Sequence, residues 1–124
     1  MPKLKILIAE DSSPIQLLYQ TGLPDALFDK QIVADGDKAL AAYTSWKPDI
    51  VLLDINMPIK NGFQVLKAIR EEKRDKTTTV VIVTSSSEKD EVIACAKLGI
   101  QGYIVKPFKR EELPLKIMEC HKGK

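Results

Sequence analysis

An open α/β fold, with five parallel strands and helices on both faces, is what this sequence predicts. Three observations predict it. Short runs of branched apolar residues alternate five times with segments of helical periodicity. These runs are apolar at consecutive positions, as in Ile50-Val51-Leu52-Leu53, the mark of strands buried on both faces. The 124 residues contain no repeat, low-complexity tract or linker, so one domain over residues 1–124 is expected to bury the whole set. Right-handed crossovers leave few topologies, and the doubly wound order 2-1-3-4-5 is the one chosen here. In that order strands one and three are neighbours, and their carboxyl ends flank a crevice.

The first strand is Leu4-Lys5-Ile6-Leu7-Ile8-Ala9, running directly into Glu10-Asp11. Ser13 before Pro14 signals a cap and first turn. The helix they open carries Ile15, Leu18 and Tyr19 at helical spacing. Gly22 and Pro24 interrupt it. Leu27 and Phe28 extend the apolar stripe, so a continuation kinked at Pro24 is expected over a stop near Thr21. Gln31-Ile32-Val33-Ala34 reads as the second strand, closed by Asp35-Gly36. A helix with Ala39, Leu40 and Tyr43 on one face then ends before Pro48.

The third strand, Ile50 to Leu53, ends in Asp54, and Pro58 soon bars regular structure. Asn61-Gly62 opens a helix with Phe63, Leu66 and Ile69 in phase. The polar run from Glu71 to Thr78 reads as its end and an exposed loop. Val80 to Val83 is the fourth strand, terminating in Thr84 and three serines. Ser87 can cap the next helix, with Glu88, Asp90 and Glu91 in its first turn, and Gly99 ends it. Gly102 to Val105 is the fifth strand, followed by Lys106-Pro107. A last helix reaches about Cys120, and Pro114 means that it starts late or has a distorted first turn.

Composition narrows the function. Apolar residues make up 44% and charged residues 29%, as in a globular domain, and no apolar run could cross a membrane. The N-terminus lacks a signal-peptide core, so the expected compartment is the cytoplasm. A net charge of +2, with basic residues scattered, gives no support to nucleic-acid binding. Cys95 and Cys120 match no metal spacing and are expected as reduced thiols. The lone histidine, His121, suits a helix C-terminus better than catalysis.

The chemistry gathers at one end of the predicted sheet. Glu10-Asp11 follow strand one, Asp54 ends strand three, Thr84 strand four and Lys106 strand five. Crowded carboxylates ionise poorly unless a cation joins them, and an all-oxygen set suits a hard ion such as Mg²⁺ (or Mn²⁺). A carboxylate beside metal, ammonium and hydroxyl makes a phosphoryl site in which the carboxylate oxygen is a candidate nucleophile. Neither GxxxxGK[ST] nor GxGxxG is present, so another molecule must bring the phosphoryl donor. Taken singly, Asp54 could equally be a helix cap or loop anchor, and Thr84, Lys106 and Tyr103 have commoner fates as a strand-end hydroxyl, a solvated charge and a half-exposed aromatic.

With these residues in order, the chain resembles over its full length the receiver domain of two-component response regulators, a flavodoxin-like fold, and looks most like a stand-alone receiver. The resemblance rests on Glu10-Asp11, on Asp54 with Met57-Pro58 and Gly62, on Thr84, and on Lys106-Pro107-Phe108. It implies that Asp54 accepts a phosphoryl group from a histidine kinase or histidine phosphotransfer protein. It also implies that Asp11 and Asp54 ligate Mg²⁺ with the backbone carbonyl of Asn56, Glu10 acting directly or through water. Lys106 would pair with the phosphoryl oxygens. Thr84 would move to hydrogen-bond them, Tyr103 would swing inward, and a downstream target protein would read the face of helix 4, strand 5 and helix 5. Asn56 and Ser85 occupy positions that, in the family it resembles, tune the lifetime of the acyl phosphate. Such a domain catalyses its own phosphorylation and dephosphorylation without turning over an external substrate.

Gly22, Pro24 and Pro114 depart from the family pattern, the last within the signalling face. Three rivals remain. An aspartyl-nucleophile phosphatase would carry a second acid where Asn56 stands. A degenerate receiver would act only as an interaction module, and a flavodoxin-like cofactor binder is disfavoured by the acidic crevice. No output domain is visible, so the chain acts by docking or is one domain of a longer regulator. Monomer and phosphorylation-dependent dimer both fit, since no apolar heptad is present.

Overall fold

The computed structural model describes residues 3–85 and 89–122. A single parallel sheet is ordered β2-β1-β3-β4-β5, from β1 (Leu4–Ala9), β2 (Phe28–Val33), β3 (Ile50–Asp54), β4 (Thr79–Ser85) and β5 (Gly102–Lys106). All four pairings are parallel, with Ala9 opposite Leu53, Asp54 opposite Val83 and Ser85 opposite Lys106. The expected order is therefore the observed one.

Five α-helices cover the sheet: α1 (Ser13–Gly22), α2 (Gly36–Trp46), α3 (Gly62–Lys67), α4 (Lys89–Leu98) and α5 (Leu113–Lys122). The core divides into two clusters, one for each face. Ile6, Ile8, Ile50 and Leu52 pack with Tyr19, Ile104 and Ile117. Leu7, Val51, Leu53 and Ile82 pack with Ala39, Leu66, Ile69 and Cys95 on the other side. Alternate residues of one strand enter opposite clusters, which is why the strands read as continuous apolar runs.

Several boundaries differ from expectation. The first helix does not continue to Phe28. It stops at Gly22, the Leu23 N–H capping onto the Tyr19 carbonyl. Pro24 then accepts from the N–H groups of Leu27 and Phe28, so the chain turns sharply instead of kinking. Leu27 is left exposed, while Phe28 is buried as the first residue of β2, three residues earlier than expected. Ser12, not Ser13, occupies the cap position of α1, and Pro14 sits in its first turn.

Asn61 forms a full capping box with Gln64 at the start of α3. The helix continues past Lys67 as a five-residue π-helical stretch, Ala68–Glu72, so it ends within the polar run from Glu71, and a mostly exposed loop follows, as expected. Gly99, at φ +104°, ends α4 as expected. The Ser87 cap and Glu88 lie outside the described residues. Pro114 is accommodated by a short 3₁₀ turn, Arg110–Glu112, which leads into α5 and leaves the proline in a first turn where no N–H partner is needed. His121 lies in the last turn of α5, its Nδ1 2.7 Å from Thr79 Oγ1. Both cysteines are free, and burial pushes the Cys95 thiol up to about 11. Among the described residues no helix is long and apolar enough to cross a membrane.

Candidate phosphoryl and metal site

The carboxyl ends of β1, β3 and β5 bring four charged side chains together. Asp54 is the last residue of β3, fully inside the strand register, and only 4% exposed. Glu10 follows β1 and is 1% exposed. Lys106 ends β5 and reaches between them: its Nζ donates to Asp54 Oδ2 at 2.8 Å and lies 3.1 Å from Glu10 Oε1. Asp11, the next residue along, is exposed at the mouth.

Backbone contacts fix these groups. Ser12 N–H donates to Glu10 Oε2 at 3.1 Å, and the Gln16 side-chain amide donates to the Glu10 carbonyl at 2.7 Å. The Asn56 N–H donates to Asp54 Oδ1 at 3.2 Å. Gly62 is required behind Asp54, because a Cβ there would lie 2.4 Å from the Asp54 carbonyl oxygen. Gly36 plays the same part for Lys60, whose carbonyl oxygen would lie 2.2 Å from an added Cβ. The loop from Ile55 to Gly62 is thus wedged from two sides and closed by the Gly62 N–H on the Ile55 carbonyl.

The electrostatics follow from burial. Desolvation, and then the charge of Asp54, raise the Glu10 carboxyl above its ordinary value. Burial works against the Lys106 charge, but Asp54 and then Glu10 outweigh it and hold the ammonium above its usual range. Tyr19, buried beneath with its ring 5.3 Å from Phe108, is likewise raised by desolvation and by Glu10 and Asp54. One lysine between two carboxylates leaves the cluster short of positive charge.

A divalent cation fits that deficit. Glu10, Asp11 and Asp54 each offer a carboxylate oxygen, all within 4.8 Å of one another. Glu10 Oε1 is a buried acceptor without a hydrogen bond among the described residues, 3.1 Å from the Lys106 ammonium. An all-oxygen donor set that is partly open to water suits Mg²⁺.

Two of the expected residues stand apart. Thr84 is 2% exposed at the end of β4, and its Oγ1 donates to the Ser85 carbonyl at 3.1 Å, not to Asp54. Tyr103 is 51% exposed on β5, outside the crevice. It lines a groove of about 420 Å³ with Thr84, Ser85, Lys89, Val92, Ile93 and Val105. Sequence reasoning missed Gln16 and Ser12 as supports of Glu10. It also missed Arg70, a buried cation that falls four residues after Leu66 on the apolar face of its helix, which was the available signal.

The comparisons agree with this geometry. The model of the response regulator receiver domain matches residues 6–118. The chain is 36% identical over 115 residues to the chemotaxis protein CheY of Pseudomonas aeruginosa, covering 92% of this chain and 93% of that one. It is 32% identical to the transcriptional regulatory protein PrrA of Mycobacterium tuberculosis, covering 91% of this chain but only 48% of PrrA. Among solved structures, the chemotaxis response regulator CheY4 of Vibrio cholerae superposes with a TM-score of 0.87 at 29% identity, covering 96% of this chain and 99% of that one. With the strand order, the site and these relatives in accord, the chain belongs to the response regulator receiver domain family of two-component signalling.

Proposed function

We propose that Asp54 is the phosphoacceptor of a phosphorylation-controlled switch. The observation that carries the reading is Lys106, whose ammonium joins the buried carboxylates of Asp54 and Glu10 at the carboxyl ends of the strands. A carboxylate oxygen of Asp54 forms the new P–O bond while the P–N bond of a phosphohistidine breaks, and the leaving imidazole takes up a proton. Lys106 neutralises the transferred oxygens, and Asn56 N–H holds the carboxylate in place. Glu10, Asp11, Asp54 and the backbone of Asn56 would hold the metal. Bound there, Mg²⁺ or Mn²⁺ offsets the negative charge that accumulates around the phosphorus.

The phosphoryl group brings charge approaching about −2. Thr84 gives up its bond to the Ser85 carbonyl to donate to a phosphoryl oxygen, and Tyr103 turns inward from its exposed position. The groove between α4 and β5 changes shape, and a target protein reads it. The donor is a histidine kinase or a histidine phosphotransfer protein.

Intact mass after incubation with acetyl phosphate tests the reading. One phosphoryl adduct is expected, dependent on Mg²⁺ and abolished by Asp54→Asn. No adduct, together with no Mg²⁺-induced stabilisation, would leave an interaction module only. Steady release of phosphate from small esters would instead mark a phosphatase.

A further inference from the structure

A second polar cluster is buried at the other end of the sheet, where the strands begin, and phosphoryl chemistry makes no use of it. Its centre is Arg70, 6% exposed, in the middle of the π-helical stretch Ala68–Glu72. The guanidinium donates from Nε to the Gly99 carbonyl, from Nη1 to the Asp75 carbonyl and from Nη2 to the Thr78 carbonyl, each at 2.9 Å. Nη2 also donates to Gln101 Oε1 at 3.2 Å. π-helical turns are rare and recur at functional positions. This one turns a long cation inward, off the surface that helical arginines usually occupy.

Two of the four bonds reach the short segment that joins α4 to β5. Gly99 ends α4, and Gln101 precedes β5. Gln101 is itself bolted to β4, its N–H donating to the Val80 carbonyl at 3.0 Å and its Oε1 accepting from Val80 N–H at 2.7 Å. The one fully buried residue of α4 is Cys95, a turn before Gly99. The opposite end of α4 begins at Lys89, on the crevice side, shortly after Thr84 and Ser85. The helix is fastened where it ends.

We propose that Arg70 is the fulcrum of the switch: a positioning residue that fixes the carboxyl end of α4 and the start of β5. A displacement beginning at Thr84 then swings the amino end of α4 about Gly99 and does not translate the whole helix. The idea rests on the reading of Asp54 as phosphoacceptor. A planar fork with fixed donors is needed to hold three carbonyls from two segments at once, and a lysine ammonium cannot span them.

Hydrogen exchange read by mass spectrometry tests this, with Mg²⁺ and beryllofluoride as a mimic of the aspartyl phosphate. In the wild type, beryllofluoride should alter exchange over residues 89–94 and leave 97–102 unchanged. In Arg70→Lys, residues 97–102 should exchange about tenfold faster and should themselves respond to beryllofluoride, since charge-assisted bonds are lost there. Gln101→Leu, at a half-exposed position, should act in the same direction and serves if Arg70→Lys fails to fold. Tyr43→Phe removes a hydroxyl bond to Asp75 but leaves the bonds to Gly99 and Gln101, so it should keep the wild-type pattern. An unchanged pattern in Arg70→Lys and Gln101→Leu, or the same change in Tyr43→Phe, overturns the fulcrum while leaving Asp54 as acceptor. A wild type that does not respond to beryllofluoride anywhere overturns the acceptor reading and the fulcrum with it.

Discussion

Replacing Lys106 by methionine should destabilise the fold most where its carboxylates are most fully charged. The ammonium sits 2.8 Å from Asp54 Oδ2 and 3.1 Å from Glu10 Oε1. At an effective dielectric of about 20, those attractions are worth roughly 5–6 kcal/mol each before desolvation is subtracted. Removing one partner from a buried ion pair costs about 3–5 kcal/mol net. Lys106 is 23% exposed along its side chain, so water screens part of the field and about 3 kcal/mol is expected. That is a large share of a domain's stability and corresponds to a fall of roughly 10 °C in Tm.

The loss should also depend on pH. Without the ammonium, Glu10 lies in a desolvated crevice against the uncompensated charge of Asp54, and its protonation becomes easier in the folded state than in the unfolded one. A raised folded-state pKa on an acid lowers stability as pH climbs, so the defect should grow from pH 5 to pH 8 and shrink on acidification. Mg²⁺ should restore much of it by replacing the missing positive charge. Circular dichroism melts in EDTA and in Mg²⁺, across that pH range, measure all three effects. A variant melting within about 1 kcal/mol of wild type at pH 8 in EDTA, with no pH trend, would refute the electrostatic account.

Three further outcomes are expected. Gly62→Ala drives a Cβ to 2.4 Å from the Asp54 carbonyl oxygen. It should cost about 2 kcal/mol or more in urea titrations and reduce acyl-phosphate formation, because the acceptor strand must shift. Ile59→Asn should stabilise the fold by about 1 kcal/mol, since a β-branched residue now holds φ +70° at 69% exposure; equal or lower stability would show that the turn is relaxed. Asp75→Asn should lose about 1–2 kcal/mol at neutral pH. Its carboxylate accepts from the N–H groups of Thr77 and Thr78 and from the hydroxyls of Tyr43 and Thr78. Although burial opposes its charge, those bonds hold the Asp75 carboxyl well below the usual range. The stability it contributes is therefore present above the ordinary carboxylate value and lost as pH falls below it, an acid slope that Asp75→Asn should lack.

The sheet was legible because its inner strands β1, β3 and β4 are the apolar runs that a parallel, doubly covered sheet demands. The edge was harder: β2 begins with Phe28-Asp29-Lys30-Gln31, and its polar half reads as loop when only one neighbour buries it. The end of α1 was misread because Leu27 and Phe28 happen to keep helical phase, although one faces water and the other fills the core. In the site, Glu10, Asp54 and Lys106 could be placed from strand ends alone. The hydrogen bond of Thr84 to Ser85 and the outward pose of Tyr103 could not, since a sequence marks positions and not which of two states is populated. Arg70 escaped notice because the run from Glu71 to Thr78 is as polar as any loop. A π-helical turn has no periodicity of its own to betray it.

The strand register also bears on how the chain becomes competent. Among the described residues no strand pairs with a hairpin partner: Leu4 lies opposite Phe28, Ile6 opposite Ile50 and Val81 opposite Gly102. Lys106 and Asp54 are 52 residues apart in sequence. Sheets made only of such distant pairings form slowly and late, after loop closure has been met for each crossover. Asp54 therefore acquires Glu10 and Lys106 only once β1, β3, β4 and β5 are all docked. On the role proposed for Asp54, a nascent or misfolded chain would expose a lone aspartate without the partners that assemble the site, so phosphoryl transfer would be confined to molecules that have finished folding.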